Sequence, residues 1–123
     1  MSRFRFTIGL AALAAVTALA GAGCGSSSSP TTPTVAADVT ITMVGDRGNQ
    51  SFSPNPTTMR VGQTVAWKNG DATAHDATQD ASRFGTGTIS AGATSSPITM
   101  STAGTFTYHC TIHPGMVGSL VVQ

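Results

Sequence analysis

Twelve residues near the C-terminal end, Thr105 to Met116, restrict the folds open to this chain more than anything else in it. In the stretch Thr105 to Cys110, residues of two kinds alternate: Phe106, Tyr108 and Cys110 on one side, Thr105, Thr107 and His109 on the other. A period of two is that of a strand with one face in a core, so Cys110 points inward and His109 outward. The strand then runs into Thr111-Ile112-His113-Pro114-Gly115-Met116, a turn that carries an imidazole and a thioether at three-residue steps from the thiol. Val117 to Gln123 returns as a final strand.

The rest of the chain from Asp38 onward is compatible with that hairpin. Val39, Ile41 and Met43 alternate with Thr40 and Thr42, and Ser53-Pro54-Asn55-Pro56 breaks the chain. Met59 and Val61 suggest a short strand before Gly62. Val65 and Trp67 share one face of another, with Ala66 and Lys68 opposite, and Asn69-Gly70-Asp71 ends it with turn residues. A polar loop extends to about Gln79, followed by short segments around Phe84, Ile89 and Ile98-Met100, with Gly104 opening the strand to Cys110. No segment of convincing length has a helical period, and no internal repeat is present. About seven short strands separated by Gly, Pro, Asn and Asp predict an all-β antiparallel Greek-key sandwich.

The first part of the chain is of another kind. Arg3 and Arg5 precede an unbroken small and apolar run, Ile8 to Ala20, which is the order of a secretory signal and is short for a bilayer span. Ala18-Leu19-Ala20 suits ordinary cleavage, whereas Gly21-Ala22-Gly23-Cys24 resembles the lipobox of bacterial lipoproteins, with Gly21 where Leu is usual. The reading is a signal over 1–23, of lipoprotein type, then a Gly, Ser, Thr and Pro-rich tether over 24–37 and a folded domain over 38–123. Either cleavage exports the domain, to the periplasm or to a membrane anchor through lipidated Cys24 facing the exterior.

Export gives Cys110 its meaning, because an unpaired thiol outside the cytoplasm is open to oxidation. A buried inert thiol and a Cys24–Cys110 disulfide are the plain alternatives. The neighbouring His113 and Met116 favour a metal-bound thiolate. A metal ion needs donors converging to within roughly 4 Å of one another, so a fourth donor must come from a facing segment. The chain has three histidines. His109 faces away and reads as a surface or supporting residue, which leaves His75. Two imidazoles, a thiolate and a weak axial thioether suit one copper ion in both oxidation states; zinc could take the same ligands but would be redox-silent. Met43, Met59 and Met100 fall in strand patterns and read as core. Asp71, Asp76 and Asp80 lack the spacing of a calcium loop and read as solvated loop residues.

With Arg3 and Arg5 removed, four basic residues (Arg47, Arg60, Lys68 and Arg83) face five Asp and no Glu. No basic stripe for nucleic acid exists, and a weakly charged monomer is expected to meet transient redox partner proteins through an apolar patch.

Ser51-Phe52-Ser53-Pro54, Val61-Gly62-Gln63-Thr64-Val65-Ala66-Trp67-Lys68-Asn69 and Tyr108 to Met116 together resemble the cupredoxins of the plastocyanin, pseudoazurin and amicyanin group, the last segment being closest to the short ligand loop of amicyanin. The resemblance covers Asp38 to Gln123. It implies an eight-stranded sandwich, His75, Cys110, His113 and Met116 as ligands of one type 1 copper, and electron entry at the His113 ring edge among apolar neighbours. Many relatives have Asn directly after the first ligand histidine, where this chain has Asp76. That carboxylate either lies near the metal and lowers its reduction potential or points to water. The function expected is single-electron transport without catalysis. The copper enzymes that share the fold need further histidine-rich centres, for which three histidines are too few. Copper delivery or storage, and a metal-free immunoglobulin-like binding module, are the other readings.

Overall fold

The computed structural model describes residues 35–123. The signal, the lipobox with Cys24, and most of the tether read from the sequence lie outside the described residues. Among the described residues, no helix is long and apolar enough to cross a membrane.

Among the described residues there are eight strands: β1 Val39–Met43, β2 Phe52–Ser53, β3 Thr57–Met59, β4 Thr64–Asn69, β5 Thr78–Gln79, β6 Ile98–Thr99, β7 Gly104–His109 and β8 Val117–Val122. A 3-10 turn, Gly48–Gln50, lies between strands β1 and β2. The strands form two sheets of four, ordered β2-β1-β4-β6 and β3-β8-β7-β5. This is the β-sandwich the strand pattern predicts, with one refinement: β1 pairs with β4, and β3 with β8, in parallel, while the other pairings are antiparallel. Alternation along a single strand reports which face is buried but says nothing of its neighbour's direction.

The core lies between the sheets and is filled by the alternating residues. Ile41, Met43, Phe52, Val65 and Trp67 come from the first sheet, and Met59, Phe106, Tyr108, Leu120 and Val122 from the second. Tyr108 stands edge-on to both Phe52 and Trp67, with ring centroids at 4.8 and 5.5 Å. Edge-to-face contacts of this kind add about 0.5–1.5 kcal/mol each to the burial term. Met43, Met59 and Met100 are buried, as the strand patterns predict. Val61 is not part of β3 and is exposed, because the chain turns at Gly62. Phe84 and Ile89 lie on no strand of their own; Ile89 makes an isolated bridge with His75. The outer strands β2, β3, β5 and β6 have only two or three residues, which leaves little open edge for another chain to pair with.

Candidate metal centre

The linker from β4 in one sheet to β5 in the other carries His75, and its shape is set by Asn69. This buried amide donates to the carbonyls of Thr73 at 2.7 Å and Ile89 at 2.9 Å, and its Oδ1 accepts the Asp71 N–H at 2.9 Å. All its side-chain polar atoms are thereby used within the loop. His75 is then pinned through its own backbone, its N–H donating to the Ile89 carbonyl and its carbonyl accepting from the Ile89 N–H at 3.1 and 2.7 Å. The ring is 1 % exposed.

The other donors come from the β7–β8 connection. Cys110 follows the last residue of β7 and is fully buried. Its N–H donates to the Met116 carbonyl at 3.0 Å, and the Met116 N–H donates to the His113 carbonyl at 2.9 Å. The two bonds close the turn into a small ring that fixes Cys110, His113 and Met116 relative to one another. Met116 is wholly buried in the core, whereas His113 is half-buried at the surface end of the turn.

Three donor atoms converge. Cys110 Sγ lies 3.8 Å from His75 Nδ1 and 4.0 Å from His113 Nδ1, and the two Nδ1 atoms are 3.1 Å apart. Ligand bonds of about 2.0 Å to nitrogen and 2.3 Å to sulfur, opened by roughly 100–130°, place such donors about 3.1–4 Å from one another. The spacing therefore fits one small ion, and among the described residues these three form the cluster suited to a metal. The donor set, thiolate with two imidazoles and a buried thioether on the same turn, is the soft and borderline mixture that copper takes. His75, Cys110 and His113, with Met116, are positioned to hold one copper ion.

The surroundings prepare the donors. His75 Nε2 is 2.8 Å from Asp71 Oδ2 and 3.2 Å from Thr73 Oγ1. A carboxylate only accepts, so Nε2 carries the proton and Nδ1 presents its lone pair to the cluster. Donation from His75, then from the Ala72 N–H and Thr73, holds the Asp71 carboxyl down at about 2. The Asp76 N–H donates to Cys110 Sγ at 3.4 Å, which helps fix the sulfur in place.

Two aspartates therefore differ from the expectation of solvated loop residues. Asp71 braces His75, and Asp76 is only 7 % exposed, with its carboxylate turned to the ligand turn and not to water. Composition could not separate these roles; the spacing of four between Asp71 and His75 was the available signal. Asp80 does lie at the surface, where His109 Nδ1 meets its Oδ1 at 2.7 Å. His109 thus faces away from the cluster, as the alternation along β7 requires. Cys110 is unpaired among the described residues.

Comparison with known proteins agrees with this geometry. Residues 39–123 match the model of the copper binding proteins of the plastocyanin/azurin family. The chain is 32% identical to amicyanin from Paracoccus denitrificans over 99% of its own length and 97% of the relative's. It is 31% identical to plastocyanin from Scenedesmus fuscus, covering 70% of this chain and 100% of that one. Among solved structures, a novel purple cupredoxin from Nitrosopumilus maritimus superposes with a TM-score of 0.63 at 25% identity, over 70% of this chain and all of the other. Buried cysteine, converging imidazoles, sandwich fold and sequence similarity together make this chain a member of the plastocyanin/azurin family of copper-binding proteins, a cupredoxin.

Proposed function

We propose that this protein is an exported carrier of single electrons, in which His75, Cys110, His113 and Met116 would hold one copper ion. The observation that carries the reading is the convergence of Sγ and two Nδ1 atoms within 4.0 Å, on segments braced by hydrogen bonds of their own. Copper bound there supplies a one-electron couple, Cu(II)/Cu(I).

The residues keep the cost of that couple small. His75 is held by two backbone bonds and by Asp71, and Cys110 by Met116 and the Asp76 N–H, so the donors have little freedom to rearrange between oxidation states. Deep burial of Cys110 and Met116 keeps water from the sulfur atoms. His113 alone of the donors reaches toward solvent, and the residue before it, Ile112, is an exposed apolar side chain at 46%. An exposed apolar side chain next to one half-buried ligand suits brief contact with redox partner proteins, at the small end of interface sizes. Export would place the domain in the periplasm or, through lipidated Cys24, on a membrane facing outward; the basic and apolar order of residues 1–23 supports this.

Addition of Cu(II) to the purified protein tests the reading. An intense visible thiolate-to-copper band is expected at one copper per chain, lost in C110S, and it should bleach and return through repeated reduction and reoxidation. A colourless protein whose thiol is reduced and available would overturn it. Ready surrender of the ion to a chelator during each cycle would favour copper delivery or storage instead.

A further inference from the structure

β6 ends the first sheet and β5 the second, and the segments that follow these two edge strands enclose a cleft of about 190 Å³. Met100 and Phe106, both buried, and the half-buried Phe84 and Ile98 give it an apolar lining, while the exposed Arg83, Ser101 and Thr102 bring polar groups to it. It shares no residue with the metal centre. The turn that presents Arg83 is clamped by the buried Gln79. Its Oε1 accepts the N–H of Ala81 at 2.9 Å and of Arg83 at 3.1 Å, its carbonyl accepts the Ser82 N–H at 2.8 Å, and its own N–H donates to the Phe84 carbonyl at 3.0 Å. Within that turn Ser82 holds a φ of 57°, alone among the described non-glycine residues in the left-handed region, where a side chain is strained. The strained turn sets Arg83 and Phe84 together at the cleft. Among the described residues no carboxylate pairs with the Arg83 guanidinium, the charged contacts being His75–Asp71 and His109–Asp80.

We infer that this cleft is a second binding site, for a small apolar carboxylate such as an aryl acid, with the hydrocarbon against Phe84, Ile98, Met100 and Phe106 and the carboxylate at Arg83. The site is independent of the copper reading. A guanidinium only donates, and its planar fork matches the two oxygens of a carboxylate; the hydroxyls of Ser101 and Thr102 can donate to the lone pairs that remain. The volume suits one ring and is too small for a helix. The chain's own tether over 24–37 contains no acidic residue and so cannot answer the charge of Arg83. Trp67, the only tryptophan, reports on the cleft from within the core, because its ring centroid lies 5.6 Å from that of Phe84.

Titration of the purified protein with benzoate, followed by Trp67 emission and by backbone amide chemical shifts, tests the inference. Saturation is expected at one site per chain with a Kd of about 1–10 mM, as the few contacts of an open cleft allow. The shifts should centre on Arg83, Phe84 and the segment from Ile98 to Thr102. Benzyl alcohol, which has the ring without the charge, should bind the unaltered protein about tenfold more weakly, the factor expected of one charge-assisted pair at an exposed guanidinium. Arg83 is exposed, so R83Q should fold as before. It should bring benzoate down to the level of the alcohol and leave the alcohol's own affinity unchanged. Failure to saturate by about 50 mM, equal affinities for the two probes, full benzoate affinity in R83Q, or shifts centred on the turn from Cys110 to Met116 would each overturn the inference.

Discussion

Tyr108 is the only tyrosine in the chain, and it sits two residues before Cys110 on β7 with its ring in the centre of the core. Burial pushes its phenol up to about 12 from the ordinary 10.0. The Trp67 indole N–H, near enough to ease the ionised form slightly, lies outside hydrogen-bonding geometry. A raised pKa in the folded state means that the fold prefers the neutral phenol. Its contribution is complete below pH 10, where the unfolded chain also keeps the proton, and is lost as pH rises from there through about 12. The ultraviolet phenolate band of the folded protein should therefore reach only about a tenth of its full height at pH 11, while in concentrated urea it should rise near pH 10. A largely developed phenolate band at pH 11 with the near-ultraviolet circular dichroism intact would refute the packing of Tyr108. The partner of that ring is Gly118, directly opposite on β8. A Cβ built there would lie 2.5 Å from Tyr108 Cζ and 2.6 Å from its oxygen, so G118A must displace a ring held between Phe52 and Trp67. Urea unfolding should show a loss of about 1–3 kcal/mol with an unchanged m value.

At the scale of elements, the parallel β1–β4 pair is secured at its start by one aspartate. Asp38 Oδ2 accepts from both the N–H and the hydroxyl of Thr64, at 2.8 and 2.9 Å, and the Asp38 N–H donates back to that hydroxyl at 3.0 Å. The backbone bond from Thr64, followed by its hydroxyl, holds the carboxyl below 3.8. A depressed carboxylate contributes stability that is present above the unfolded value of 3.8 and is lost as pH falls through the folded one. The unaltered protein should thus melt above D38A at pH 6, and the gap should narrow below pH 3.8; a gap that is constant down to pH 2 would show that the clasp does not depend on charge. The strands themselves were legible where alternation had a buried face, as in Val39-Ile41-Met43 and Phe106-Tyr108-Cys110. The short edge strands were less so. Thr78–Gln79 has no apolar alternation, and it is a strand only because β7 offers its edge to it. The ligand turn was legible because its donors are rare residue types at fixed steps. The roles of Asp71 and Asp76 were not, since a polar loop gives no period from which to deduce which side chains turn inward.

For the whole molecule, the placement of the centre matters more than its ligand count. His75 lies on the linker that leaves the first sheet at β4 and enters the second at β5, and Cys110, His113 and Met116 lie on the turn that joins β7 to β8 within the second. An ion held by both segments ties the crossover between sheets to the longest hairpin, so its binding energy is expressed as resistance to unfolding. The unfolded chain offers the same side chains scattered along the sequence and cannot match the folded affinity. Stability should then rise with free copper as RT ln(1 + [Cu]/Kd), about 2.7 kcal/mol when copper is a hundredfold above Kd. Unfolding free energies from urea titrations with and without Cu(II) should differ by this amount in the unaltered protein, raising the midpoint at equal m values because the same surface is exposed on unfolding. Chelation should restore the lower midpoint, and C110S should show no copper-dependent shift. A copper-dependent rise that persists in C110S would locate the bound ion elsewhere, on donors unrelated to the joint between the two sheets.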